Sequence, residues 1–325
     1  MDLNELYNGI LKDSRAFEQL KADFSFGRQG HAYIVVSEDS EAVKRLLPLA
    51  VAAAFCLEHG CFECDECMRV LHGNNPDVYF VNYAGDRINK DKIAEITGEA
   101  NLKSFSGGKR FFLIFRADLM NETAQNKLLK TLEEPPPEVT FILGAATDSL
   151  LLPTIKSRVR KLYLDSFPED VLATALRNNG IGESRALLAA ACSSGHITRA
   201  LEIALNENFN AAHLKALRVL NSLRRPGDVA EFIFDKGFTA DTGEFLNALA
   251  VLMRDIMLYD TGKELIALKS DMQDIARLSK LYTPDACAIV LRAVNTAKEK
   301  LFFNVSAAAV LEILFFEIVK RRRTA

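Results

Sequence analysis

The sequence predicts an α/β domain built on a mostly parallel sheet with helices on both faces, followed by two all-helical units. Three observations carry this. Short β-rich runs alternate with amphipathic patterns through the first half of the chain, and the strand signal stops after Leu164. The 325 residues, 49% hydrophobic and 26% charged, are enough for two or three domains with separate cores and leave no case for global disorder.

The expected strands are Tyr33 to Val36, Val78 to Val81, Phe111 to Phe115, Thr140 to Leu143 and Lys161 to Leu164. Their apolar runs are continuous, the mark of parallel strands buried on both faces, and ligands in such sheets sit beyond the strand C-terminal ends. After Leu164, "SFPE" starts a helix, with Ser166 as cap, Pro168 in the first turn and Glu169 completing a capping box; Gly180 ends it. Helices over Ser184 to Ser193 and Ile197 to Leu205 complete a three-helix unit, too thin to be stable without a neighbour. From Asn210 onward the pattern is helical, with breaks at Arg224 to Asp228, at Gly237 and at Tyr282 to Asp285. The expected domains are therefore 1–164, 165–207 and 208–325.

A formal net charge of -3 gives no global pull toward DNA, so nucleic-acid contact requires a local patch or a partner. The N-terminus lacks the basic start and apolar stretch of a signal peptide. The longest apolar run, Leu46 to Phe55, is half a membrane span and contains Pro48, while "SAAAVLEILFFEIVK" is interrupted by Glu312 and Glu317. A cytoplasmic protein without membrane contact is expected.

The stretch "SFSGGKRFFLIFR" raises the question of nucleotide binding. A phosphate loop follows a strand and opens a helix, so that N–H groups and the helix dipole face the phosphates. "SGGK", Ser106 to Lys109, precedes its strand and is expected to be an ordinary turn. The correct position, Ser37 to Arg45 after the first strand, has no glycine. It carries Glu38, Asp39 and Glu41, and Lys44 has no Ser or Thr beside it to hold magnesium. The strand that would end in an Asp-Glu pair ends in Phe115-Arg116, and Asp118 comes two or three residues late for a metal carboxylate. No nucleotide is expected.

Cys56, Cys61, Cys64 and Cys67 follow a C-x4-C-x2-C-x2-C pattern, enough thiolates for one closed tetrahedral site. Structural Zn2+ fits best, ordering a loop after the helix Glu41 to Phe55. His59 or His72 as a substitute ligand, a redox dithiol and an iron–sulfur cluster are the alternatives. Glu58, Glu63, Asp65 and Glu66 make the loop acidic, which suits a protein contact better than nucleic acid. Cys192 and Cys287 stand alone in helical segments, as buried apolar residues do.

Two further stretches are specific: Asn126 to Pro136, "NKLLKTLEEPP", and Ser157-Arg158-Val159. They resemble the "N-x-L-L-K-x-L-E-E-P-P" helix and the Ser-Arg-Cys motif of the AAA+ subunits of the bacterial DNA polymerase III clamp loader, with Val in place of Cys. The resemblance extends over the whole chain. It implies an AAA+ module to about residue 164 with a zinc module at 56–67, a helical lid to about 207 and a helical collar beyond. A missing loop, a missing Asp-Glu pair and a retained Ser-Arg point to a member of that family without a site of its own; Ala145 and Ala146, where ATPase members carry a polar sensor, agree.

Such a subunit acts on its neighbour. Arg158, with Ser157, is the candidate arginine finger, a guanidinium inserted into the adjacent protomer's site and contributing about 10³ to 10⁵ in rate. The bland alternative is a surface arginine at a helix end. The implied partners are gamma/tau-type ATPase subunits and a delta-type subunit, with the sliding clamp and primed DNA reached through the assembled complex. The competing reading is a self-sufficient ATPase of the gamma/tau type with a divergent loop; a third is a zinc-dependent DNA-binding or redox protein. Leu128, Leu129 and Leu132 are expected in the core, with Pro135 to Pro137 stopping the helix. Glu133 and Glu134 are either solvated or facing the neighbour. Arg199 occupies the place of a lid sensor or is structural, and "KRRR", Lys320 to Arg323, stabilises a helix C-terminus or touches DNA.

Overall fold

The computed structural model describes residues 3–25, 29–83, 88–105, 107–205, 207–234, 242–263, 266, 268, 271–303 and 305–323. The chain divides into two compact units, Met1–Phe167 and Pro168–Ala325. Ser106 and Gly237, singled out in the sequence, lie outside the described residues.

In the first unit, α1 (Leu3–Leu11) and α2 (Arg15–Ser25) lead into β1 (Ala32–Val36). Then come α3 (Ser40–Phe55), α4 (Asp65–Leu71), β2 (Val78–Val81), α5 (Lys90–Ala100) and β3 (Arg110–Ile114). The unit closes with α6 (Glu122–Glu133), β4 (Val139–Ala145), the single turn α7 (Pro153–Lys156) and β5 (Arg160–Tyr163). Every expected strand is present within about two residues of its expected ends, because five apolar runs in the grip of flanking helices have no other place to go.

All pairings are parallel, in the order β2-β3-β4-β1-β5. Alternation along β1 covers both faces. Ala32, Ile34 and Val36 join Phe112, Ile114, Leu128 and Leu132 in the core under α5 and α6. Tyr33 faces the other way, with Phe24 edge-on to Tyr33 and Phe111 at 5.7 and 5.4 Å, and Phe55 on Phe111 at 5.6 Å. Leu128 and Leu132 are buried as expected, whereas Leu129 is half-buried at the margin of that core.

One close approach fixes α3 on the sheet. A Cβ added at Gly144 in β4 would lie 2.9 Å from Val43 Cγ1 and 3.3 Å from Leu47 Cδ1. Val43 is stiff at χ1 and fully buried, so it cannot swing aside. Gly144→Ala is expected to cost about 1–3 kcal/mol by overpacking. Thermal denaturation of Gly144→Ala and of Gly144→Ala with Val43→Ala checks this, since trimming Val43 should return part of the loss.

A buried polar knot, with no counterpart in the sequence-based expectations, holds the start of β3. Arg110 is 4% exposed; its Nη1 donates to the Glu99 and Leu102 carbonyls at 2.6 and 2.7 Å, and Nη2 to the Tyr79 hydroxyl at 2.7 Å. Asp77 Oδ1 lies 3.7 Å from Nε, an ion-pair distance too long for a hydrogen bond. Arg110→Met takes a buried cation from the site and leaves the Glu99 and Leu102 carbonyls and the Tyr79 hydroxyl without its guanidinium. A loss of about 3–5 kcal/mol is expected, measured as a lowered midpoint in urea.

The second unit is helical: α8 (Glu169–Asn178), α9 (Glu183–Cys192), α10 (Ile197–Leu205), α11 (Glu207–Ser222) and α12 (Asp228–Phe234). It continues with α13 (Thr242–Leu258), α14 (Met272–Leu278), α15 (Pro284–Phe302) and α16 (Ala307–Arg321). Ser166 does not cap α8. Pro168 takes the cap position with no side-chain bond, so the helix begins at Glu169, and Ser166 falls too early in the chain to reach the free N–H groups. Gly180, at φ +88, follows the helix end as expected. The helices α8 to α10 are tied to α13 by Arg254–Glu169 at 2.6 Å and Arg199–Glu244 at 2.9 Å. Cys192 and Cys287 are buried, and burial pushes both thiols up, Cys287 to about 12.

Candidate functional site

Parallel strands put all five C-terminal ends on one edge, and the segments after β1, β3 and β4 meet there. Ser37 N–H donates to the Ala145 carbonyl at 3.1 Å, and Phe115 N–H to the Val81 carbonyl at 3.0 Å. Ligands of parallel sheets bind beyond this edge, and several of the chain's own side chains stand at it. Asp39 caps α3, its Oδ1 accepting from Ala42 N–H at 3.1 Å, so a carboxylate already sits at the helix end a phosphate would seek. Lys44 Nζ lies over the rings of Phe115 and Tyr83, at 5.7 and 5.9 Å. Burial pushes the Tyr83 hydroxyl far above its usual range, so it stays neutral.

At the end of β3, Arg116 adopts a left-handed conformation, φ 55 and ψ 47. That turn aims its guanidinium at Asp118, with Nε and Nη2 at 3.1 and 2.9 Å. Asp118 also accepts from Ala146 N–H at 3.3 Å, and its side chain is 1% exposed. Both Asp118 oxygens are thus engaged by Arg116. Its pairing with Arg116 goes beyond the sequence reading, although an Arg two residues before an Asp at a strand end is the signal. "GGK" forms a turn before β3, with Gly107 at φ +75 and Lys109 Nζ donating to the Phe24 carbonyl at 3.2 Å.

Arg158 lies at the opposite edge. It follows α7 and precedes β5, whose Arg160 pairs with Tyr33 and whose Tyr163 pairs with Val36. Those four paired positions, at about 3.3 Å per residue, put roughly 10 Å or more of sheet between Arg158 and the position after β1. Arg158 Nη1 donates to the Thr154 carbonyl and the Ser157 hydroxyl, both at 3.1 Å, and Nη2 reaches Glu133 Oε1 at 2.7 Å. Its side chain is 35% exposed. The two motifs thus meet in space: Glu133 ends α6, where the prolines stop the helix, and faces the Ser-Arg turn.

The four thiols after α3 also converge. All Sγ atoms of Cys56, Cys61, Cys64 and Cys67 lie within 4.8 Å of one another, with Cys56 3.5 Å from Cys61 and 3.8 Å from Cys64. A tetrahedral ion with sulfur at about 2.3 Å needs Sγ separations of about 3.8 Å, so one ion fits. Main-chain N–H groups of Cys61 and Cys64 donate to the sulfurs of Cys56 and Cys61, both at 3.4 Å, the outer support thiolate ligands need. His59 (φ 53), Gly60 (φ 111) and Phe62 (φ 61) are left-handed and fold the chain back on the sulfurs. Burial works to raise the Cys56 thiol, but the N–H groups of Cys61, Gly60 and Glu58 bring it down to about 6; burial pushes Cys67 up. His59 and His72 lie outside the group.

Arg199, the expected sensor position, spends its guanidinium on Glu244 and Glu202. No described helix is long and apolar enough to cross a membrane.

A helix start capped by the chain's own carboxylate and a partly exposed Ser-Arg turn thus stand at opposite edges of one five-stranded parallel sheet. The family described as "DNA polymerase III, delta subunit" matches residues 12–168. The DNA polymerase III subunit delta' of Bacillus subtilis is 27% identical over 323 residues, covering 96% of each chain. The Escherichia coli subunit delta' is 31% identical over 202 residues, 60% of each. The chain is similar to these delta-prime subunits, to the Bacillus subtilis one along nearly its whole length. Among solved structures, a gamma subunit-related protein of Thermotoga maritima is similar at a TM-score of 0.45 and 18% identity, over 95% of this chain and 100% of that one.

Proposed function

We propose that this chain is a cytoplasmic, non-hydrolysing subunit of a clamp loader, and that it lends Arg158 to the nucleotide site of a neighbouring gamma/tau-type ATPase subunit. Residues 165–207 act as a lid-like unit and 208–325 as a collar that joins the ring with the delta-type subunit. Through that assembly the chain helps place the sliding clamp on primed DNA. The observation that carries the reading is the separation across the sheet: Arg158 stands a strand's length from its own chain's phosphate position and exposed to solvent, a geometry suited to a site on another protomer. The capped start of α3 and the occupied Asp118 support the same reading.

The four cysteines hold Zn2+ in a closed structural site. Four sulfur ligands leave no position for substrate, so the ion's contribution is to order residues 56–67.

The test is reconstitution with the ATP-binding and clamp-opening subunits. The purified chain alone is expected to bind no triphosphate analogue in calorimetry, while the assembled ring hydrolyses ATP and depends on Arg158. Tight binding and hydrolysis by the chain alone would favour the self-sufficient ATPase instead.

A further inference from the structure

Five arginines, Arg224, Arg225, Arg277, Arg322 and Arg323, line one recess of about 600 Å³ in the second unit, with Asn221, Leu281 and Val319 completing its wall. No Asp or Glu lines it. Three helices end around it: α11 at Ser222, α14 at Leu278 and α16 at Arg321. Each such end carries about half a negative charge, so part of this basicity belongs to the fold.

The hydrogen bonds separate that part from the rest. Arg322 Nη1 donates to the Leu220 and Leu223 carbonyls at 2.7 and 2.9 Å, closing the end of α11. Arg277 is ion-paired with Asp274 on its own helix. Arg224 and Arg225 bond through their main-chain N–H groups, both to Asp228 Oδ2, at 2.8 and 2.9 Å. Arg323 does so through its main-chain N–H to the Leu281 carbonyl at 2.9 Å. Among the described residues, no carboxylate forms an ion pair with the side chains of Arg224, Arg225 or Arg323. Three guanidinium groups without an ion pair therefore stand at one recess of a chain whose formal net charge is -3, with the Asp228 carboxylate acting on Arg224 and Arg225 from a longer range.

We infer that this recess binds the phosphate groups of a single-stranded nucleic acid. A guanidinium fork bonds two oxygens of one phosphate, and successive phosphates of a strand offer the repeated oxyanions that several forks require. Leu281 and Val319 are the apolar residues of the wall, and the arginine stems supply the rest of its apolar surface, on which a base can lie. A recess of this size admits a strand end or a splayed nucleotide, not a duplex. The site is independent of Arg158 and needs no neighbouring ATPase.

The experiment is fluorescence anisotropy of a short labelled single-stranded oligonucleotide with the full-length chain, across a salt series. Arg224→Glu with Arg225→Glu is expected to weaken binding at least tenfold and to flatten the salt dependence, by about 0.7 in slope for each phosphate that is no longer neutralised. Its melting temperature should fall less than that of Arg322→Ala, because residues 224 and 225 keep their main-chain bonds to Asp228 whereas Arg322→Ala removes the donor to the Leu220 and Leu223 carbonyls. Inorganic pyrophosphate should compete. Undiminished binding by the double variant would overturn the proposal, as would displacement by a poly-glutamate peptide at concentrations where pyrophosphate has no effect.

Discussion

Arg158→Ala is expected to slow ATP hydrolysis at the shared boundary of an assembled ring by about 10³-fold or more, while leaving nucleotide affinity there nearly unchanged. The asymmetry follows from what a finger does. Charge accumulates on the phosphate oxygens as the transition state forms, and a guanidinium placed from outside meets it most strongly at that moment. Removing such an interaction lowers the rate constant without a matching change in ground-state binding. Arg158→Lys should recover little, because an ammonium is a point charge without the planar fork. Assembly of the ring, followed by gel filtration, should be intact in both variants, since the Glu133 contact is an exposed pair worth about 0–1 kcal/mol. Single-turnover hydrolysis with labelled ATP is the measurement. Equal rates for wild type and Arg158→Ala in an intact ring would remove the finger from the account.

The second large effect is expected on metal removal. Prolonged treatment with a strong chelator, or Cys67→Ser, should release a single zinc ion measurable by elemental analysis and unravel the segment between α3 and β2. In small zinc modules the ion supplies about 10–16 kcal/mol of binding free energy, and here Phe62 against Phe17, at 5.9 Å, and buried Val70 are what would remain to hold the segment. Leu57 is 97% exposed, and the left-handed residues His59 and Phe62 hold a conformation that L side chains adopt only under constraint. Cys67, fully buried in the intact protein, should become open to alkylation after chelation. The sheet should persist, because its core lies elsewhere in that unit. Unaltered alkylation and melting after chelation would show that the four thiols need no ion.

Much of this molecule is legible in its sequence, for reasons that differ by element. The strands declare themselves because each is buried on both faces and so reads as an uninterrupted apolar run, as in Phe111 to Ile114. The helix breaks at Arg224 to Asp228 and Tyr282 to Asp285 declare themselves through Gly and Pro chemistry, and Thr283 indeed caps α15 by accepting from Ala286 N–H at 3.1 Å. Side-chain pairing across space is not legible. Nothing local joins Arg110 to Glu99 and Leu102, because its acceptors are main-chain carbonyls, which every residue carries. Glu133 is ambiguous for a related reason: its fate depends on the path of α7, set by the sheet and not by its neighbours in sequence. The basic end Lys320 to Arg323 reads as one feature in sequence, yet the structure divides it: Arg322 secures another helix, while Arg323 opens onto the recess.

The contact between Arg158 and Glu133 bears on how such a subunit would recognise its neighbour. A guanidinium already satisfied by a carboxylate, a carbonyl and a hydroxyl does not arrive at a docking surface as a bare cation seeking any acid. It trades one set of acceptors for another, and the net attraction at rest is small. Adhesion between protomers is then left to other surfaces, and only a partner presenting a more highly charged acceptor, such as a terminal phosphate with its oxygens suitably placed, tips the trade. In the proposed role, the pairing that holds this arginine in the lone chain would make its release conditional on a loaded neighbour.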